Sequence, residues 1–528
     1  MARAASEAKA PLLFVRETSG LVRAISPWMA IWFALAPSLG SYFLVFAPMI
    51  PVLYPGTDLV ITFALGGIFL FLEGIGTGLL MAAMPRSGGN YVVPGRALGP
   101  FFGCVEGFRS VIMNPVSLGI GCYIGGTSLS AALTLIGKVT HIESISALGA
   151  TLGANKHLLV LVGLCFLIAA AIIDYLGPKI LGGWMTIWGI YILSAIIIGD
   201  ILMAMSNPTY IQQRWDSVFG AGAYQEIVDI ATKHGWKPTP FSWNVQLASM
   251  LIPVGMFWEY NAIPVSGEVR RPQISLPFAA MGSAVVMALI ATFTAYAYTH
   301  AYGNFATMYL WVVRQGLTSE FKINVPLPVT AAGYSFFGAL PATNPALLSY
   351  IVLACPLSTF PKASSALYYT TRPFFAMAMD RIAPEIFTRV SRFHSPTYTI
   401  LYGAIWAGIN VVICSYIIIT HFISLLLTFV WIRWWWTWCE IVLPYRRPEI
   451  WERGLKIEVK GVPLISIAGV INFVVFGYIF FSAVVSPLSA FATALIFVGG
   501  AFWYLYYAHK LKKEGIDIES IFATLPPE

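Results

Sequence analysis

Long uncharged runs dominate the chain, and each is long enough to be a membrane helix. A hydrocarbon core of about 30 Å takes about 20 apolar residues per helix, so such runs count spans directly. Five fall at 27–53, 59–84, 101–135, 158–176 and 180–205, ahead of a polar stretch at 206–242. Seven more follow at 243–265, 277–297, 345–371, 399–420, 422–443, 463–485 and 488–507, with a second polar stretch at 302–344. The pattern predicts an all-α integral membrane protein of about 12 transmembrane helices. Inside the polar stretches, 223–234 sets Ile227, Ile230 and Ala231 on one side ahead of Gly235, which predicts an amphipathic helix, and 305–315 reads the same way. These stretches are either a lid over a pathway or plain surface loops.

Composition agrees with a bilayer as the main solvent: of 528 residues, 58% are hydrophobic and 10% charged, against roughly a quarter charged in soluble domains. Residues 1–26 carry Arg3, Lys9, Arg16 and Arg23 but no short apolar core with a cleavage site, so the first helix is itself the membrane signal. If that end is cytoplasmic, segments on its side hold 21 Lys and Arg and the opposite segments hold 7. The bias predicts a multi-pass protein of the cell membrane with both termini cytoplasmic. A net charge of +7 is then a topology signal rather than a nucleic-acid footprint. The six cysteines all lie in apolar runs without metal-type spacing, so no disulfide, zinc site or cofactor is expected.

Glycines at Gly74-Ile75-Gly76-Thr77-Gly78 and at Gly121 and Gly125 lack the strand and the lysine of a phosphate loop; close helix packing explains them. Two other places interrupt the spanning pattern more deeply. The first is Ala36-Pro37-Ser38-Leu39-Gly40-Ser41 in helix 1, where proline removes a donor and glycine weakens the turn at hydrocarbon depth. The second is Pro253-Val254-Gly255-Met256-Phe257-Trp258-Glu259-Tyr260 in helix 6, where Pro, Gly and a carboxylate coincide. Helix 6 is five helices after helix 1. Transporters built from inverted repeats place discontinuous helices at matching positions around a midplane site, where half-helix N-termini suit a carboxylate and unwound carbonyls suit a cation. An amino acid zwitterion presents both charges.

A third stretch, Met84-Pro85-Arg86-Ser87-Gly88-Gly89-Asn90-Tyr91 continuing to Arg96-Ala97-Leu98-Gly99-Pro100, resembles the signature after helix 2 of amino acid permeases of the amino acid–polyamine–organocation superfamily. Gly267-Glu268-Val269-Arg270-Arg271-Pro272 and the stretch from Thr371-Arg372-Pro373 to Asp380-Arg381-Ile382-Ala383-Pro384 resemble that family too, and the likeness runs from about 21 to 448. It implies a five-plus-five inverted repeat (LeuT-type) with discontinuous helices 1 and 6, plus two C-terminal helices. The divisions become a cytoplasmic segment 1–26, a first repeat 27–205, an external loop 206–242 and a second repeat 243–443 containing the external loop 302–344. A cytoplasmic loop 444–462, helices 11 and 12 in 463–509 and a tail 510–528 complete them. The chain departs from the pattern with Leu79 and Leu80 where a glutamate usually stands, Leu39 at the helix 1 bend and bulky Phe257-Trp258 at the helix 6 break. These changes narrow the expected pocket.

The reading that follows is a secondary transporter for an amino acid or related amine, working by alternating access, with no nucleic-acid partner and no enzymatic role. Ser38, Leu39, Gly40 and Ser41 offer backbone groups, Gly255, Phe257, Trp258 and Tyr260 line the pocket, and Glu259 is the candidate for a substrate ammonium. By resemblance, Met113 and Asn114 lie on the substrate side of helix 3. Helix 8 carries Ser358, Thr359 and Lys362 near mid-depth. Some proton-coupled relatives hold a lysine ammonium where sodium-coupled ones hold the ion, so these three are assigned to ion coupling, with a proton as the expected ion. Charges at bilayer depth need partners; Glu106 and Arg109 are spaced to pair along helix 3, and Glu73, Arg433 and Glu440 are further candidates for structural pairing. The competing reading is a non-transporting sensor or assembly subunit that keeps the permease fold, supported by the bulky residues at the breaks and the sizable outer loops.

Overall fold

The structure is a computed structural model and describes residues 19–257, 260–322, 333–416, 422–483 and 487–525. Among them, ten helical segments are long and apolar enough to cross a bilayer: Pro27–Leu53, Leu59–Ala83, Pro100–Thr140, Lys156–Tyr175, Pro178–Ala204, Pro272–Tyr302, Pro345–Met379, Thr397–Cys414, Leu464–Phe481 and Ala490–Lys513. The other two expected spans are built differently. The run at 243–265 is divided into short pieces, and Phe422–Arg446 is a 25-residue helix that carries Arg433 and Glu440 at bilayer depth. Counting both in chain order gives segments 1 to 12.

Proline marks where these helices begin. Pro27, Pro100, Pro178, Pro272 and Pro345 each stand in the first turn, where the missing N–H is not needed and the fixed φ suits the helix. Side-chain caps add to this: Ser26 accepts from the Met29 amide, Asp58 from Ile61, and Asn344 from Ala346 and Leu347.

The distribution of polarity is inverted relative to a water-soluble protein. Ile68, Leu289, Val474 and Phe502 are more than half exposed on the flanks of their helices, while Glu73, Glu106, Arg109, Arg372 and Arg433 are buried between helices. An apolar belt of this kind faces acyl chains, and the polar interior must satisfy itself. The glycines of segment 2 allow its close approach to segment 7. A methyl group on Gly74 would lie 3.1 Å from the Ala280 carbonyl oxygen, and one on Gly78 would lie 2.9 Å from Pro277 Cα. Gly76 faces Glu440 of segment 10, and Gly125 faces Thr359 of segment 8. Packing is therefore what these small residues do.

The polar stretches are structured as their patterning predicts. Ala223–Lys233 is a helix that buries Ile227, Ile230 and Ala231, and Phe305–Arg314 is a second helix. Ile230, Ala231 and Val312 form a small shared core. A further short helix, Tyr334–Ala339, belongs to the second stretch and lies against segment 5. On the opposite side, Gly89–Ala97 forms a helix between segments 2 and 3.

Candidate functional site

Segment 1 is interrupted where Pro37 and Gly40 predict. The helix Pro27–Ser38 stops, Leu39 caps it, Gly40 takes an extended conformation, and a new helix runs over Ser41–Phe46. Ser38 Oγ donates 2.9 Å back to the Ala34 carbonyl. The Tyr42 hydroxyl donates 2.7 Å to the Ser117 carbonyl, tying the second half-helix to segment 3. A Cβ on Gly40 would meet the Pro37 oxygen at 2.8 Å and Lys362 Cβ at 3.5 Å. Glycine here lets the lysine stem lie against the break.

Segment 6 begins as Trp243–Ser249 and Leu251–Met256, becomes extended at Phe257, and ends as a tight helical stretch over Ile263–Glu268. Trp258 and Glu259 lie outside the described residues. Unwinding at this depth leaves carbonyls that need donors. The Phe257 carbonyl accepts from the Arg433 guanidinium, and the Tyr260 carbonyl accepts from the Tyr369 hydroxyl at 3.1 Å. Arg433 also pairs with Glu73 at 2.9 Å and lies over the Tyr260 ring, 4.7 Å from its centroid. One buried guanidinium thus holds segments 2, 6 and 10 together.

Beside this clamp is a narrow cavity lined by Glu73, Thr77, Asn90, Arg109, Asn114, Ser117, Tyr260, Ala366, Tyr369, Arg433 and Trp436, with room for about one or two waters. Arg109 pairs with Glu106 at 2.8 Å and donates 3.2 Å to Asn114 Oδ1, whose amide in turn donates 2.8 Å to the Tyr369 carbonyl. The pairing expected from spacing, Glu106 with Arg109, is present, and of the further candidates Glu73 and Arg433 pair with each other. Two arginines and the Glu73 carboxylate line this cavity, a set that offers a counter-charge to each end of a zwitterion.

Of the residues assigned from sequence, Asn114 and Tyr260 line this cavity. Ser38, Leu39, Gly40 and Gly255 are buried at the two breaks, and Ser41 starts the second half-helix. The Phe257 ring packs instead among Phe43 and Phe63, with centroids 5.6 and 5.8 Å away, and contributes its backbone to the clamp. Half-buried Met113 packs against the Trp431 and Trp435 cluster. In segment 8, Ser358 Oγ donates 2.6 Å to the Cys355 carbonyl and Thr359 faces Gly125. The buried Lys362 ammonium lies 4.3 Å from the Tyr42 ring centroid, which places it against the second half of segment 1. A desolvated ammonium over an aromatic face gains roughly 2 kcal/mol. Sequence reasoning did not place Thr77, Asn90, Ser117, Tyr369 or Trp436 here, since lining residues from five segments have no common local pattern.

The three signature stretches meet on the side that carries Gly89–Ala97. Arg372 binds Asp174 and, at 3.1 Å, Glu268, which also accepts from Ser87 at 3.4 Å. Arg96 binds Asp380 at 2.7 Å, and Asp380 also accepts from the Tyr91 hydroxyl at 2.7 Å. All five acids and bases of these two clusters are fully buried. Phe522 of the C-terminal helix Ile518–Phe522 lies over the Arg96 guanidinium at 4.6 Å. Together they close that end of the cavity.

Residues 25–506 match a protein family described as "Amino acid permease". No curated protein matches the chain.

Proposed function

The chain belongs to the amino acid permease family, and from that premise we propose that it is a secondary transporter that carries an amino acid or related amine across the cell membrane by alternating access. The observation that carries the reading is the clamp of Arg433 on the unwound Phe257 carbonyl, beside a cavity that also holds Glu73, Arg109 and Asn114. In this reading the segment 1 and segment 6 breaks bound the substrate site, and Glu259 meets the ammonium group. The arrangement is that of an occluded state: the cavity widens as the segments move and closes again around its solute. Segments 1–5 and 6–10 form the inverted repeat, both termini are cytoplasmic, and Lys362 carries the coupling charge, exchanging a proton in each cycle.

Uptake by proteoliposomes, run against a panel of labelled amino acids and polyamines with imposed proton or sodium gradients, tests the proposal. Saturable, sodium-independent uptake driven by an inward proton gradient is expected. Glu259→Gln is expected to assemble normally and to lose affinity for the transported solute. The small size of the cavity favours a second reading, a sensor that keeps the fold; folded protein with no saturable uptake of any solute in the panel would select it.

A further inference from the structure

Asp200 stands four residues before the end of segment 5, on the side of the two long polar stretches, and is buried. Its Oδ2 accepts a 2.6 Å hydrogen bond from the Thr294 hydroxyl of segment 7. No cationic side chain pairs with it among the described residues. In this it differs from Glu73, Glu106, Asp174, Glu268 and Asp380, each of which has an arginine.

Asp200 lines a second cavity, with room for about one water, between segment 5, Leu44 of segment 1, Ile351 and Ala354 of segment 8, and Tyr334, Ser335 and Gly338 of the short helix. Gly199 and Gly338 approach so closely that a Cβ on either would lie 3.3 Å from the other's Cα. The short helix therefore seats its backbone directly on segment 5, one residue from the carboxyl.

The elements packed against Asp200 offer no counter-charge. On segment 1 the titratable group is Tyr42, bonded to Ser117. Segment 7 carries buried Tyr298 and Tyr302 and an exposed His300 stacked on Tyr296. The short helix brings Tyr334, whose hydroxyl has no hydrogen-bond partner among the described residues. Segment 8 brings Cys355 and Lys362, the latter over the Tyr42 ring, and segment 4 brings Asp174, bound to Arg372. On segment 5 itself, Lys179 lies exposed at the far end.

An ionised carboxylate without a cation is costly at such a place. A metal ion is a poor remedy, because hard cations such as calcium take about six or more oxygens and the cavity offers one carboxylate with the hydroxyls of Thr294, Tyr334 and Ser335. We propose that Asp200 is a proton-binding site, separate from the substrate site and from Lys362, that the Tyr334–Ala339 helix seals in this state. The carboxylate takes one proton from the water on the loop side when that helix lifts, and carries no net charge when it reseats. The proposal does not depend on which solute is carried.

Infrared difference spectroscopy of the purified full chain in lipid nanodiscs, over a pH series in sodium-free buffer, tests it. The wild type is expected to show the C=O stretch of a protonated carboxyl that is lost toward alkaline pH. Asp200→Asn is expected to lack that band. Thr294→Ala keeps the carboxyl but removes its donor, so the band should persist at a shifted frequency; this variant decides the matter if Asp200→Asn does not fold. Superimposable wild-type and Asp200→Asn spectra, or an unshifted band in Thr294→Ala, would overturn the assignment. Loss of the band on adding sodium at constant pH would also overturn it, in favour of a metal-cation site.

Discussion

At the residue scale, the buried ion pairs decide most of what the site can be. Arg433 answers both the Glu73 carboxylate and the Phe257 carbonyl, so Arg433→Ala takes a donor from a buried acid and from a buried backbone acceptor at once. A loss of roughly 3 to 5 kcal/mol is expected from removing one member of such a pair, seen as a lowered melting midpoint of the solubilised protein. Glu73→Gln, which leaves the guanidinium its carbonyl partner, is expected to lose less. Lys362→Ala is expected to leave the fold intact and to abolish the dependence of uptake on the proton gradient; sodium-driven uptake by the wild type would overturn that role. The pairs were legible to different degrees for a physical reason. Glu106 and Arg109 lie one helical turn apart, so spacing alone joins them. Arg372 stands one residue past the apolar run at 345–371, yet it is fully buried between Asp174 and Glu268, residues that only the tertiary fold brings together. Asp174 and Asp200 end apolar runs with no partner a turn away, and nothing local draws attention to them.

At the element scale, proline and glycine were the readable signals. Pro37 with Gly40, and Pro253 ahead of Phe257, mark both interruptions, because a missing donor and a missing Cβ act on the backbone wherever the chain goes. The direction of a side chain from an unwound segment is not encoded that way, and the Phe257 ring accordingly joins Phe43 and Phe63 rather than the cavity. The amphipathic pattern of 223–234 was equally readable, since one face had to bury Ile227 and Ile230. What joins that helix to the second loop is Glu320, which binds Lys233 at 2.9 Å and His234 at 2.6 Å. Hydrogen bonding from Lys233, and then from His234, holds the exposed Glu320 carboxyl below its usual range, which is about 4.3. Its folded value is the lower one, so the contribution to loop docking is complete above the ordinary value and is lost as pH falls through the lowered one. Limited proteolysis around Lys233 and Lys237 is expected to speed up on acidification through that window, and Glu320→Gln is expected to show the faster cleavage already at neutral pH. Cleavage with the same rate and pH profile in both proteins would mean that the apolar contact of Ile230 with Val312 holds the loops alone.

At the scale of the whole molecule, the cavity is closed at both ends by different chemistry. On the side of the long polar stretches the seal is apolar and close-packed: Tyr334 and Phe337 pack edge-on against Tyr298, and Gly338 rests on Gly199. On the other side the seal is ionic, made by Arg372 with Asp174 and Glu268 and by Arg96 with Asp380 and Tyr91. Ionic contacts between rigid helices suit a gate that must open, because water can solvate the separated charges once they part. Glu268 is the member whose neutralisation leaves Arg372 still paired with Asp174, so Glu268→Gln weakens the gate without stranding a charge. Asn90 lines the cavity just inside this seal. A cysteine placed there by Asn90→Cys is therefore expected to react faster with a membrane-impermeant maleimide, offered from the side of Gly89–Ala97, when Glu268→Gln is added. A hydrogen bond between charged groups contributes roughly 1.5 to 3 kcal/mol, so the acceleration should be about tenfold or more if opening limits access. Reagent offered from the opposite side should show no such gain. Equal rates with and without Glu268→Gln would mean that the ion pairs hold the fold together but do not control entry to the cavity.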